Sequence, residues 1–286
     1  MQVSNQLPVK HVSHTAWLVA AFRAQESERP DAHFKDNLAS KLLGALETEY
    51  LSRFSEDAKT DHWLLTIRTC QIDQLILNAV QNGVTTILNL GAGLDTRPYR
   101  LPLPSSVNWY EADFPELIDY KNKTLIQDVP HCNLHRISAD LSDAEQRRKV
   151  LRDIDGLSAS TLVLTEGLLY YLTDQNVAEL ANELAETKSF NYWLMDIFNH
   201  SFIDVAHKLW NITPADLESD DVRFHFLPEN MESFLKPLGW DLKQLLSFGQ
   251  GAIDLDRFPK GYDLQKVESE KGLFESGVCL FTKSRR

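Results

Sequence analysis

The residues best suited to chemistry begin at Ile87-Leu88-Asn89-Leu90-Gly91-Ala92-Gly93-Leu94-Asp95-Thr96-Arg97, a hydrophobic strand running directly into a GxG turn. Glycine has no Cβ, so a backbone built on Gly91 and Gly93 can come close to a ligand. Twenty residues after Gly93, a second apolar run, residues 107–112, ends at Asp113. A carboxylate at that strand end can accept hydrogen bonds from both hydroxyls of a ribose, a charge-assisted and bidentate contact. Glu111 stands two residues earlier and competes for this role. Asp95 has a plainer reading as the cap of the helix after the turn.

Two further strand ends carry candidates. Asp140-Leu141 follows the apolar run 134–139. An acid there can accept from an adenine exocyclic amine while an adjacent backbone N–H meets a ring nitrogen. The alternative is that Asp140 or Ser142 caps the next helix. The run 161–165 leads into Glu166-Gly167-Leu168-Leu169-Tyr170-Tyr171-Leu172. Glu166 is placed to meet an ammonium or sulfonium group, and Tyr170 and Tyr171 are candidates for the wall of an acceptor pocket. The competing reading packs these rings in the core with their hydroxyls at the surface.

The turn departs from the dinucleotide fingerprint GxGxxG, whose third glycine would fall at Thr96. That glycine permits the close helix packing on which a pyrophosphate sits. S-adenosylmethionine has ribose and adenine but no pyrophosphate, so it asks for the GxG and the acid alone.

These residues need elements to hold them. Apolar runs at 85–90, 107–112, 134–139, 161–165 and 192–198 suit buried strands, and helical patterns at 116–127, 143–152 and 174–186 lie between them. The alternation predicts an α/β fold, a Rossmann-like, mostly parallel sheet with helices on both faces and ligands at the carboxyl ends of its strands. Residues 1–82 read as a helical N-terminal layer or lid contributing to the site: Leu38, Leu42, Leu43 and Leu46 have helical spacing, and Leu64 to Val80 sustain the pattern until Asn82-Gly83. Residues 83–286 form the core, with an insertion near 200–226, a helix at 228–237, a strand at 241–248 and a last strand at 277–283.

Composition narrows the function classes. Lys and Arg total 29 against 41 Asp and Glu, a net charge of -12, which repels a phosphate backbone and disfavours nucleic acid. The three cysteines form no CxxC pair and the nine histidines no HExxH, so neither a disulfide framework nor a metal is expected. The apolar run 16–22 is far short of the roughly 20 residues of a membrane span. It is followed by Arg23, Glu26, Glu28 and Arg29 instead of a cleavage site, and reads as a first helix with Ser13 or Thr15 near its cap. A cytoplasmic protein acting on a small molecule is the expectation.

With Ser13-His14-Thr15-Ala16, Arg23-Ala24-Gln25-Glu26-Ser27-Glu28-Arg29-Pro30-Asp31, the glycine turn, Asp113-Phe114-Pro115, Asp140-Leu141 and Thr165 to Leu172 in this order, the chain resembles the leucine carboxyl methyltransferase family. The likeness is to its bacterial branch of S-adenosylmethionine-dependent, polyketide-type O-methyltransferases. The resemblance implies that Gly91 lies against the cofactor, Asp113 binds ribose, and Asp140 with Leu141 frames adenine. It further implies that Arg68, in Thr66-Ile67-Arg68-Thr69, pairs with the methionine carboxylate and that Glu166 lies near the amino-acid end. S-adenosylhomocysteine would be the product. The acceptor is not given by the resemblance: the residues themselves suggest a small-molecule carboxylate or phenolic hydroxyl, with Phe198, Phe202, Trp210, Phe224 and Phe226 as a cluster able to wall an apolar pocket, against the alternative that most of them individually belong to the core. The alternatives are methylation of a protein C-terminal carboxylate, or cofactor binding without catalysis. Asn37 replaces the proline of the usual Asp-Pro pair, which puts the shape of the N-terminal turn in question.

Overall fold

The computed structural model describes residues 14–44, 63–199, 225–258, 261 and 264–284. Ser13, Leu46 and most of the expected insertion, including Phe202, Trp210 and Phe224, lie outside them. Seven strands form one sheet: β1 (Thr86–Leu90), β2 (Asn108–Asp113), β3 (Asn133–Ser138), β4 (Thr161–Thr165), β5 (Phe190–Ile197), β6 (Trp240–Ser247) and β7 (Gly277–Lys283), in the order β3-β2-β1-β4-β5-β7-β6. β1 to β5 are parallel, and β7 runs antiparallel to both β5 and β6. Every residue of β1 and β4 is buried, as expected of central strands covered on both faces.

The register aligns the strand ends. Leu90 pairs with Ala112, Asp113 with Ser138, and Thr165 with Met195, so the segments that follow β1 to β4 line one edge. From β1 the chain moves outward to β3 and then returns to β4 on the other side of β1. A reversal of this kind is the place in such sheets where ligands bind, here at the carboxyl ends of β1 and β4.

The helices are α1 (His14–Glu28), α2 (Asn37–Leu43), α3 (Trp63–Gln81), α4 (Arg97–Arg100), α5 (Pro115–Thr124), α6 (Ala144–Ile154), α7 (Asp174–Glu186), α8 (Met231–Leu235), α9 (Phe248–Asp254), α10 (Leu264–Ser269) and α11 (Lys271–Glu275). On one face, Leu64, Ile67, Ile72 and Leu75 of α3 pack with Ile87, Leu162 and Leu194 of the sheet. On the other, Val150, Leu151 and Ile154 of α6 and Val177, Leu180 and Leu184 of α7 pack with Leu88, Val163 and Trp193. A division at residue 82 therefore cuts α3 from the core in which it packs. Among the described residues, α1 and α2 form a separate small core, where Trp17, Ala20, Ala21, Leu42 and Leu43 meet Leu94 and Leu117.

Local chemistry sets several element ends. The side chain of Asp143, not Asp140 or Ser142, caps α6 by accepting the N–H groups of Glu145 and Gln146. The helix expected at 228–237 is shorter, because α8 gives way to a 3₁₀ turn at Lys236–Leu238 that contains Pro237. No helix among the described residues is long and apolar enough to cross a membrane.

The N-terminal layer is tied to the sheet by buried polar contacts. Arg23 donates through Nε to Asp36 Oδ2 at 2.8 Å and through Nη2 to the Leu94 carbonyl at 2.6 Å. Thr96 Oγ1 donates to the same Asp36 oxygen at 2.6 Å, while Asp36 Oδ1 accepts the Ala39 N–H as the cap of α2. Asn37 is exposed at the first position of α2, where proline is also tolerated, so its presence leaves the turn intact.

Asp36→Ala leaves the buried Arg23 with the Leu94 carbonyl but without its carboxylate partner and should cost about 3–5 kcal/mol in denaturant unfolding. Asn37→Pro should retain the fold and be neutral or stabilising by up to about 1 kcal/mol. A loss from Asn37→Pro as large as that from Asp36→Ala would show that the asparagine holds the turn.

Burial also raises the cysteine pKa values, to about 12 at Cys70 and about 11 at Cys132, and upward again at Cys279. At pH 8 the thiolate fraction is then about one in a thousand or less. Disulfide reagents should label the folded protein very slowly and all three thiols rapidly after denaturation; fast labelling of the folded protein would contradict this burial.

Candidate functional site

The turn after β1 is shaped by its two glycines. Gly91 has φ +69° and donates its N–H to the Ala112 carbonyl at 2.9 Å, and a Cβ on it would come within 3.0 Å of Leu168 Cδ1. Gly93 has φ +50°, in the left-handed region that favours glycine. Its N–H donates to Asp113 Oδ2 at 2.7 Å, and the Phe114 N–H donates to Asp113 Oδ1 at 2.7 Å. The two amides hold the carboxylate in one orientation, and each oxygen keeps a further lone pair for a ligand hydroxyl. Burial raises the pKa of Asp113, and these two N–H groups oppose the shift.

Glu111 is engaged elsewhere. Its Oε2 accepts from Lys121 Nζ and from Arg136 Nε, both at 2.8 Å, and its side chain is fully buried. That leaves Asp113 as the acid at the end of β2 facing the turn. The cap position of α4 is Thr96, not Asp95; Asp95 stands one residue earlier and its side chain accepts the Arg97 N–H at 2.9 Å. Burial pulls its pKa up, and Arg97 overrides this to bring it to about 2.

Asp140 lies at the end of β3, partly exposed. Its Oδ1 accepts from the N–H and hydroxyl of Ser142, a local turn that leaves Oδ2 without a protein partner among the described residues. The Leu141 side chain is buried beside it.

At the ends of β4 and β5 lies a group of charges. Glu166 Oε2 accepts from Arg97 Nη1 at 2.6 Å. Arg68 on α3 is 6% exposed and donates through Nη1 to Asp196 Oδ2 at 2.9 Å. Asp196 Oδ1 accepts the Gly167 N–H at 2.7 Å. The Arg68 Nε lies 3.0 Å from Glu166 Oε1 but has no aligned hydrogen bond. Burial alone would raise the Glu166 pKa, yet Arg97 and Arg68 hold it below the usual value. Burial raises that of Asp196 in spite of Arg68. Arg97 in turn donates to Asp73 Oδ1 at 2.7 Å and Asp95 Oδ2 at 3.0 Å.

These residues suit S-adenosylmethionine. An incompletely bonded guanidinium beside a carboxylate matches the zwitterionic amino-acid end of the cofactor, and Gly91, whose Cβ would crowd the turn, leaves room for its backbone to approach a ligand.

The two tyrosines part company. Tyr170 is buried, donates its hydroxyl to the Asp196 carbonyl at 2.7 Å and stacks on Phe198 with ring centroids 5.0 Å apart. Burial raises its pKa well above the usual value. Tyr170 thus belongs to the core in place of a pocket wall, and its hydroxyl is buried, not at the surface. Tyr171 is half-buried. Phe226 is a core residue edge-on to Phe234.

The sequence reading does not single out Arg97 and Asp196, which join this charge group, and it names Arg68 through the resemblance alone. A signal existed for two of them. Arg68 follows Leu64 and precedes Ile72 by one helical turn each, on the buried stripe of α3, and Asp196 interrupts the apolar strand Met195-Asp196-Ile197. A charge on a buried face calls for a buried partner.

The leucine carboxyl methyltransferase family profile matches residues 16–185. A Mycobacterium ulcerans (strain Agy99) protein named "Putative S-adenosyl-L-methionine-dependent methyltransferase" is 29% identical over 255 residues, 82% of this chain and 85% of the relative. A similarly named Mycolicibacterium smegmatis protein is 31% identical over 256 residues, 81% of this chain and 84% of the relative. Among solved structures, a methyltransferase-like protein from Thermobifida fusca covers 96% of both chains at 16% identity and TM-score 0.58. The magnesium protoporphyrin IX methyltransferase of Synechocystis, solved with bound S-adenosylhomocysteine, covers 86% of this chain and 99% of its own at 10% identity and TM-score 0.51. The last two likenesses concern the fold alone. The chain belongs to the leucine carboxyl methyltransferase family and is an S-adenosylmethionine-dependent methyltransferase.

Proposed function

We propose that this protein transfers the methyl group of S-adenosylmethionine to an oxygen of a small molecule, a carboxylate ahead of a phenolic hydroxyl. The observation that carries the cofactor half is the gathering of Gly91, Gly93, Asp113, Asp140, Leu141, Glu166 and Arg68 along one edge of the sheet. In this reading Asp113 accepts the ribose hydroxyls, Asp140 Oδ2 accepts from the adenine amine, and the Leu141 side chain packs on the ring. Arg68 takes the methionine carboxylate and Glu166 the ammonium. α1 and α2, held over the turn by Arg23 and Asp36, exclude water from the cofactor.

The bound cofactor supplies a methyl group on a sulfonium, already an excellent leaving group. The protein therefore has to align and desolvate the reactants, a contribution of about 7–11 kcal/mol. Tyr170 keeps its proton through burial and its hydrogen bond to the Asp196 carbonyl, and Asp196 is committed to Arg68 and Gly167. Neither is suited to act as a general base. A carboxylate acceptor is ionised at neutral pH and needs none, whereas a phenol with pKa about 10 would benefit from one. The net charge of -12 disfavours a nucleic-acid acceptor. Three free cysteines fit a reducing, cytoplasmic setting.

Asp113→Ala should weaken binding of S-adenosylhomocysteine by about 1.5–3 kcal/mol in calorimetry, the scale for hydrogen bonds to a charged group. Unchanged affinity would remove Asp113 from the ribose role. For the acceptor, the protein is incubated with methyl-labelled S-adenosylmethionine and fractionated cell extract. Label is expected in the small-molecule fraction and to be released by mild base, as a carboxyl ester is. Base-stable label would indicate a phenolic ether, and label confined to protein or nucleic acid would overturn the small-molecule reading.

A further inference from the structure

The charge group at the ends of β4 and β5 contains two kinds of contact. Arg68 Nη1 to Asp196 Oδ2, at 2.9 Å, and Arg97 Nη1 to Glu166 Oε2, at 2.6 Å, are aligned charge-assisted hydrogen bonds. The contact between these pairs, Arg68 Nε to Glu166 Oε1, is the longest of the three at 3.0 Å and lacks alignment. The two outer bonds are strong, and the inner contact rests on charge alone. Asp196 binds twice: while one oxygen holds Arg68, the other accepts the N–H of Gly167, the residue next to Glu166. Arg97 is likewise anchored from behind by Asp73 and Asp95.

We propose that Asp196 and Arg97 are positioning residues for the amino-acid end of the cofactor: Asp196 holds Arg68, Arg97 holds Glu166, and the cofactor's zwitterion enters by parting Arg68 from Glu166. This rests on the reading that Arg68 and Glu166 bind the cofactor carboxylate and ammonium. On entry the carboxylate replaces Glu166 beside Arg68, and the ammonium replaces Arg68 beside Glu166. The number of charge pairs never falls, because each protein charge keeps its outer partner throughout. An Arg68 without Asp196 would instead fold fully onto Glu166, and a Glu166 without Arg97 would turn toward Arg68. Either collapse closes the space that the zwitterion must fill.

The test compares two ligands by calorimetry: S-adenosylhomocysteine, and 5′-methylthioadenosine, which has the same adenosine and sulfur but no amino-acid end. Wild-type protein should prefer S-adenosylhomocysteine. Asp196→Asn and Arg97→Lys should each lower that affinity by about tenfold to a hundredfold, the scale for a hydrogen bond to a charged group, with little change for 5′-methylthioadenosine. A merely structural role would weaken both ligands together, which would overturn the proposal. Variants that keep the full wild-type preference would also overturn it while leaving the underlying reading in place. A wild-type protein with no preference would refute the reading itself. Should a variant fail to fold, a crystal structure of the wild-type protein with S-adenosylhomocysteine decides. It should keep the Arg68–Asp196 and Arg97–Glu166 bonds and separate Arg68 from Glu166. Arg68 still seated against Glu166 there would overturn the proposal.

Discussion

Charge buried at the carboxyl edge of the sheet is the constraint to which the rest of the molecule answers. Asp73, Asp95, Glu166 and Asp196 meet Arg68, Arg97 and Arg100 there, and none of these groups is more than slightly exposed. A buried ion pair gains little net stability over well-packed apolar residues, because desolvation offsets much of the attraction. Stability alone therefore does not account for a cluster of this size. The proposed binding of a cofactor that carries both charges would account for it, since such a ligand needs fixed partners of each sign. The architecture delivers them: α3 packs its apolar stripe on the sheet and presents Arg68 and Asp73, while the short α4 adds Arg97 and Arg100 directly after the glycine turn.

The same logic extends to the N-terminal layer. Its small core, with Trp17 and Leu42 at 0% exposure, is modest beside the two faces of the sheet. Polar ties add to it. Besides the contacts of Arg23 and Asp36, Glu26 is fully buried, accepts the His33 N–H at 2.8 Å and lies 3.5 Å from Arg257 Nη2. Ser27 Oγ accepts the Asp36 N–H at 2.7 Å. The segment Arg23 to Asp31, which carried part of the family resemblance, is thus largely occupied in fixing the layer against the turn. A motif can be specific because a joint is demanding, with no chemistry of its own.

Sequence alone made the strands legible because they bury both faces: five apolar runs became β1 to β5 with ends displaced by at most two residues. Gly91, Gly93 and Asp113 were legible because a turn after one strand and an acid after the next need only local pattern and topology to meet. The pairings of Arg97 and Asp196 were not, even though Asp196 stands out in its apolar strand, because their partners Glu166 and Arg68 lie 69 and 128 residues away respectively. Pairing at such separation depends on how α3 lies across the sheet, which no local period encodes. The choice between Asp113 and Glu111 also needed tertiary structure, since Lys121 and Arg136 are what remove Glu111 from contention.

The two halves of the reaction leave unequal traces for a physical reason. Ribose hydroxyls, an ammonium and a carboxylate each require a polar partner at a set place, and a polar residue at a buried strand end stands out from its apolar neighbours. Methyl transfer from a sulfonium to an ionised oxygen asks the acceptor side mainly for shape and dryness. Those are supplied by aromatic and aliphatic side chains, the same residues that build a core. Tyr170, Phe198 and Phe226 illustrate the overlap: taken as pocket candidates from their type and position, all three pack into the core, and the Tyr170 hydroxyl goes to the Asp196 carbonyl. That bond ties the β4 exit to β5 beside Arg68, so the ring braces the strand ends where the buried charges gather.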